Sequence, residues 1–204
     1  MFPNRTVFVI DDDTNLRASV CALVSSLGCH AQGFASAEEF LASEAPGKRG
    51  VAVVDLRMPG MSGLALQEEL SRRKSHLPVI ILTAHARTPI TVRAIQAGAV
   101  TMIDKPYHDD DLWDAIRTAL EKEESVWTAE RRRREICDRL ATLTPEERDV
   151  ADLIVAGNPN KMVAQELGIA LRTVEKRRQA VLAKMKAESV AELVGLLIEA
   201  RNSQ

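Results

Sequence analysis

Long hydrophobic runs are missing from this chain of 204 residues. No stretch approaches the roughly 18 uncharged apolar residues of a membrane-spanning helix, so an integral membrane protein is not expected. The first residues, Met1 to Arg5, lead directly into strand-like sequence, and no secretory signal is expected. Cysteine is scarce: Cys21, Cys29 and Cys137 are odd in number and lack paired spacing. That excludes a disulfide framework and suits free or buried thiols in a reducing cytoplasm. A strong overall charge is also absent, the net value being −2. Finally, neither glycine nor proline occurs between Leu120 and Pro145. Nothing in that interval is built to break a helix, and a helix running on past a first domain is the expectation.

What is present falls into two halves. In the first, apolar runs alternate with amphipathic segments. Thr6–Ile10 reads as a strand that ends in Asp11, Asp12 and Asp13, and a helix follows with Leu16, Val20, Leu23, Val24 and Leu27 on one face. A weaker strand spans Cys29 to Phe34, and Ser36-Ala-Glu-Glu39 opens a short helix as a capping box. Val51 to Asp55 is a short, wholly apolar run closed by one carboxylate and a Pro59-Gly60 turn. Helix from Gly63, strand Pro78–Thr83, helix Pro89–Ala97 and strand Val100–Ile103 complete the pattern. Five strands alternating with helices predict an α/β, doubly wound, five-stranded parallel sheet. In strand order 2-1-3-4-5 the ligand crevice lies between strands 1 and 3, at their carboxyl ends. Asp11, Asp12 and Asp55 converge there, with Thr83 and Lys105 at neighbouring strand ends. Asp55 alone could simply start a turn. Three carboxylates together need a counter-charge, and a hard divalent cation such as Mg²⁺ supplies one. With Lys105 it would neutralise a phosphoryl group arriving on Asp55, while Thr83 could hydrogen-bond a phosphoryl oxygen. Asp13 is expected to cap the first helix, and His85 to be an exposed loop histidine.

Ile10-Asp-Asp-Asp13, Asp55-Leu-Arg-Met-Pro-Gly-Met-Ser-Gly63, Leu82-Thr-Ala84 and Asp104-Lys-Pro106 stand in the order and spacing of a response-regulator receiver domain, which residues 4 to about 121 resemble. The resemblance implies that Asp55 is the phospho-acceptor. It implies Mg²⁺ (or Mn²⁺) on Asp11, Asp12, Asp55 and the Arg57 backbone carbonyl. Thr83 and Tyr107 would be switch residues, Lys105 would serve the catalysis, and Lys105-Pro106 would be a cis peptide.

The middle of the chain, residues 122–140, is expected to be a helical linker. Arg131-Arg-Arg-Arg134 is interleaved with Glu130, Glu135 and Asp138 and reads as a solvated helix face rather than a nucleic-acid patch. Trp127 lies seven residues after Leu120 on the same face, placed for a dimer seam or for the second domain.

Residues 141–204 read as a small all-α, four-helix unit. Thr144-Pro145-Glu-Glu147 is a capped helix start, and Asn158-Pro159-Asn160 is a turn. Two helices around Gly168 make a helix-turn-helix. Residues 170–186 carry Arg172, Lys176, Arg177, Arg178, Lys184 and Lys186 against Glu175 alone, the footprint of a polyanion contact. Leu143-Thr-Pro-Glu-Glu-Arg148, Gly157-Asn-Pro-Asn-Lys161, Leu167-Gly-Ile169, Arg172-Thr-Val-Glu175 and Lys184-Met-Lys-Ala187 make this half similar to the DNA-binding domain of FixJ/NarL (LuxR-type) regulators. The likeness implies base reading by Glu175, Lys176 and Gln179 on the third helix, and phosphate contacts by Lys161, Thr173, Arg178 and Lys184. Arg177 stands where many members have histidine; its extra charge could strengthen phosphate binding.

The two resemblances together imply a cytoplasmic, non-enzymatic transcriptional regulator. A cognate histidine kinase would phosphorylate Asp55, the receiver would form a homodimer through the face around Ile90 to Ala99, and the paired helix-turn-helix units would bind double-stranded DNA. A stand-alone Mg²⁺-dependent phosphatase on the same sheet would leave the second half unexplained. A constitutive DNA binder would leave the complete acidic and lysine positions unexplained.

Overall fold

In a computed structural model of the chain, residues 5–43, 45, 48–84 and 88–201 are described, with 88–91 and 201 as backbone alone. His85, the first four residues and the Pro46-Gly47 pair lie outside the described residues, as does the Ile90 side chain.

Five strands form one parallel sheet in the order β2-β1-β3-β4-β5, with β1 Thr6–Ile10, β2 His30–Phe34, β3 Gly50–Asp55, β4 Val79–Thr83 and β5 Thr101–Asp104. Side-chain alternation along each central strand decides which layer a residue feeds. Phe8, Ile10, Ala52, Val54 and Ile81 pack with Phe34, Phe40, Leu66 and Leu70 on one face. Val7, Val9, Val51, Val53, Ile80 and Leu82 pack with Val20, Val24, Leu112, Ile116 and Leu120 on the other. The first layer is therefore covered by α2 Ala37–Ala42 and α3 Gly63–Arg72, with Ala94 of α4 Thr88–Gln96; the second by α1 Thr14–Ser26 and the start of α5 Asp109–Ala141. β3 is buried along its whole length, which is why its sequence shows no polar alternation.

Local starts follow their capping residues. Asp13 accepts from the amides of Asn15 and Leu16, at 2.8 and 3.1 Å. Ser36 accepts from Glu39 N, but the Glu39 carboxylate reaches Ala35 N rather than Ser36 N, so only half of the expected capping box forms. Leu27, expected on the buried face of α1, caps its carboxyl end and is exposed.

By its contacts the chain divides into units 1–127 and 128–204, later than the end at 121 expected of the first domain. The segment expected to link the domains is continuous with α5, a helix of 33 residues. Trp127 belongs to the first unit: the Arg49 guanidinium lies over its ring, 5.1 Å from the centroid. The reason is a charge cluster. Glu123, 1% exposed, accepts from Arg5 Nε at 2.9 Å and Arg49 Nε at 2.8 Å, and Glu124 pairs with both arginines. Arg131 to Arg134 are charge-paired on an open helix face, with Glu135, Glu199 and Glu130.

The second unit holds α6 Pro145–Val155, α7 Asn160–Leu167, α8 Leu171–Met185 and α9 Val190–Arg201. Thr144 and Glu147 complete a capping box. Gly168, at φ 64, ends α7 in the left-handed region that glycine adopts without a Cβ penalty. Val150, Ile154, Val163 and Val174 form one small core, and Ile136, Val181, Met185 and Leu193 another. No described helix is long and apolar enough to cross a membrane.

Candidate functional site

The carboxyl ends of β1, β3, β4 and β5 bring four of the expected residues together. Asp55 is the last residue of β3 and Asp11 directly follows β1; both are buried. Lys105 directly follows β5. Its amide donates to the Thr83 carbonyl at 2.7 Å, which aims the side chain back across the sheet ends. Lys105 Nζ then donates to Asp55 Oδ1 at 2.5 Å and to Asp11 Oδ2 at 3.0 Å. The remaining carboxylate oxygens are held by the backbone: Asp55 Oδ2 accepts from Arg57 N at 2.6 Å and Asp11 Oδ1 from Asp13 N at 2.9 Å. Thr83, at the end of β4, is 1% exposed. The Lys105–Pro106 peptide is cis.

Electrostatics follow from this packing. Burial pushes the Asp11 carboxyl up, against the pull of Lys105 and the Asp13 amide. Burial also works against the charged form of Lys105, but its bonds to Asp55 and Asp11 outweigh it, and the ammonium is held above its ordinary range. The Tyr107 phenol is raised by burial. Its hydroxyl has no hydrogen-bond partner among the described residues, an unmet capacity next to the crevice.

Asp12 does not join the other two carboxylates. It is exposed, and among the described residues no three carboxylate, thiolate or imidazole ligands gather closely enough to hold an ion. β1 has ended at Ile10 and the chain bends at Asp12, between buried Asp11 and the helix cap Asp13. The donor set still suits a hard cation. It is all oxygen, two of its carboxylates already share one positive group, and Mg²⁺ needs only one or two carboxylates beside water and phosphate oxygens.

Sequence reasoning missed Arg17, whose Nη1 donates to the Asp11 carbonyl at 2.6 Å and ties α1 to the crevice wall. It also missed Glu38, which accepts from Met61 N at 2.8 Å in the loop after Asp55. Gly63, by contrast, closes the Asp55–Gly63 motif. A Cβ there would lie 2.3 Å from the Asp55 carbonyl oxygen, so the start of α3 can lie against the Asp55 backbone only without a side chain.

In the second unit the basic helix α8 divides its charges between two directions. Arg172, Glu175, Lys176 and Gln179 are exposed, as is Lys161 on α7; Thr173 is half-buried. Arg178 Nη1 donates to Asn160 Oδ1 at 2.8 Å, bracing α8 against the first residue of α7. Lys184, for which a phosphate contact is expected, donates in the DNA-free chain to Glu147 Oε2 at 2.6 Å and to the Thr142 carbonyl at 3.1 Å. Arg177, two helical turns before Lys184 on the same face, acts electrostatically on Glu146 and Glu147. The acidic first turn of α6 thus meets two of the cations that a helical wheel sends outward. With Lys184 bonded to it first and the Thr144 amide second, the Glu147 carboxyl is held below its usual range.

Residues 7–117 match the family model of the response regulator receiver domain, and residues 141–197 that of the bacterial regulatory proteins, luxR family. Nodulation protein W of Bradyrhizobium diazoefficiens is 41% identical over 188 residues, covering 92% of this chain and 83% of that protein. The transcriptional regulatory protein FixJ of Azorhizobium caulinodans is 41% identical over 192 residues, covering 94% and 91%. Among solved structures, the response regulator StyR aligns with a TM-score of 0.89 at 37% identity, over 96% of this chain and 99% of that one. Receiver and DNA-binding models in this order, with relatives of this identity along nearly the whole length, show that the chain belongs to the response regulators with a LuxR-family DNA-binding domain, a family of transcription regulators and not of enzymes.

Proposed function

We propose that Asp55 accepts a phosphoryl group from a histidine kinase and that its phosphorylation promotes dimerisation and sequence-specific DNA binding. The observation that carries this reading is the bridge from Lys105 Nζ to both Asp55 and Asp11, a cation already seated between the acceptor and its neighbouring carboxylate. Asp11, Asp55 and the Arg57 carbonyl, with Asp12 through the outer shell or directly, would hold Mg²⁺ or Mn²⁺, the group that receiver domains typically bind there. That ion supplies charge neutralisation for the incoming phosphoryl oxygens. Lys105 gives up one carboxylate oxygen to the new acyl-phosphate bond and donates to a phosphoryl oxygen instead. Thr83 donates its hydroxyl to another, and the space it leaves favours an inward position of Tyr107. The response is a population shift driven by one charge-changing event.

Dimerisation would use α4, where Val92 and Ile95 are each 48% exposed, an arrangement that leaves apolar surface for a second copy. On DNA, α8 would enter the major groove with Glu175, Lys176 and Gln179 toward base edges. Lys161, Arg172 and Thr173 would contact phosphates, and Arg178 would do so while braced on Asn160. A kinase donor and a DNA target would both be met in the cytoplasm, which supports that location. The test is direct. With a small-molecule phosphodonor and Mg²⁺, wild-type protein should become phosphorylated, dimerise and bind a selected DNA site more tightly. Asp55→Asn protein should do none of these, and a retained response in that variant sinks the reading.

A further inference from the structure

The loop that follows Asp55 has seven residues before α3 begins, and it carries the Arg57 carbonyl proposed above as a metal ligand. Its root is well held. Leu56 N donates to the Leu82 carbonyl at 2.8 Å, and Gly63 N donates to the Leu56 carbonyl at 3.1 Å. Its outer turn, Met58-Pro59-Gly60-Met61, has a different anchor. Met61 N donates to Glu38 Oε1, across 23 residues of sequence, at 2.8 Å. The same oxygen lies 2.6 Å from where a Gly60 Cβ would stand, and Gly60 is at φ 78. The carboxylate therefore sits against the Gly60–Met61 peptide, where a side chain on residue 60 would push it aside. Glu38 is in the first turn of α2, where its charge is favourable. Its own amide and that of Met61 hold its carboxyl below the usual range.

We infer that Glu38 is a positioning residue for the phosphorylation site: by fixing the outer turn of the β3–α3 loop it sets the direction of the Arg57 carbonyl, and hence the affinity of the crevice for a divalent cation. The inference rests on the reading of Asp55, Asp11 and Arg57 as the cation and phosphoryl site. It concerns a residue that touches neither group. Glu38 acts through a hydrogen bond and not through its charge, because the bond is to a neutral backbone amide on the far side of the turn.

Full-length wild type, Glu38→Ala and Glu38→Gln are compared by calorimetric titration with Mg²⁺ and no phosphodonor, and by amide hydrogen exchange at Met61. Glu38→Ala should weaken Mg²⁺ binding by about tenfold, as removal of an outer-shell orienting partner does. Glu38→Gln, which keeps an acceptor oxygen, should stay within about twofold of wild type. Faster exchange at Met61 in Glu38→Ala with unchanged Mg²⁺ affinity overturns the proposal. So does equal weakening in both variants, since that is an effect of charge removal. Failure of the underlying reading is distinguishable, because then wild type itself neither binds Mg²⁺ nor takes a phosphoryl group from the donor.

Discussion

At Lys184 the ammonium has two partners inside its own unit, Glu147 and the Thr142 carbonyl, before any ligand arrives. The sign of the resulting pH dependence follows from the depressed Glu147 carboxyl. A carboxyl whose folded-state value is lowered contributes stability that is present above its unfolded value, near 4.5, and lost as pH falls through the folded one. We expect Lys184→Gln to return the Glu147 titration toward 4.5, read from its carboxyl carbon by NMR, and to shrink the acid-side loss of stability. The crevice residues were legible because each stands at the end of an apolar run, and strand ends of a parallel sheet share one edge. The inward turn of Lys184 and Arg177 was not. Helical spacing tells which residues share a face of α8, but not that Glu146 and Glu147 of α6 stand opposite that face. Adjacency in sequence likewise suggested Asp12 as a third carboxylate in the crevice, but its side chain stands exposed beside buried Asp11.

Among the elements, α5 joins a receiver-facing start to a far end that packs in the second unit, where Ile136 is 1% exposed. The unbroken run of helix formers made its length legible. What holds residues 121–127 to the sheet was not, because Arg5 and Glu123 are 118 positions apart and look like ordinary surface charges. Both are buried in the fold. Removing one partner of a buried pair leaves the other charge uncompensated, whereas an open helix pair such as Arg131–Glu135 contributes little. Glu123→Ala leaves Arg5 and Arg49 to the more exposed Glu124 alone and should cost up to about 3 kcal/mol, and Arg131→Ala under about 1 kcal/mol, in urea unfolding followed by tryptophan fluorescence. Trp127, under Arg49, reports on the same cluster.

For the whole molecule, a net charge of −2 says little about affinity for a polyanion. The relevant quantity is how many cations are available to the DNA backbone. Of the basic residues on α8, Lys184 is bonded within the unit and Arg177 faces the acidic turn of α6, while Arg172 and Lys176 are open. Each phosphate left without its cation makes the fall of log affinity with log salt shallower by roughly 0.9. Arg172→Ala, or Lys161→Ala on α7, should show that change in binding measured across a salt series, while Lys184→Ala and Arg177→Ala should leave the slope nearly intact. A slope that falls equally for all four would mean that DNA draws the inward pair away from Glu146 and Glu147.

The close approach at Gly63 bears on how the chain can vary over generations. The Asp55 carbonyl fills the volume in which any side chain at that position would begin. Any other residue there therefore forces either Asp55 or the start of α3 to shift, however conservative the replacement is in polarity. Position 63 carries no chemistry, yet it is closed to drift for as long as the aspartate beside it has work to do; the lineage can alter the signal it answers and the DNA it reads while this contact stays as it is.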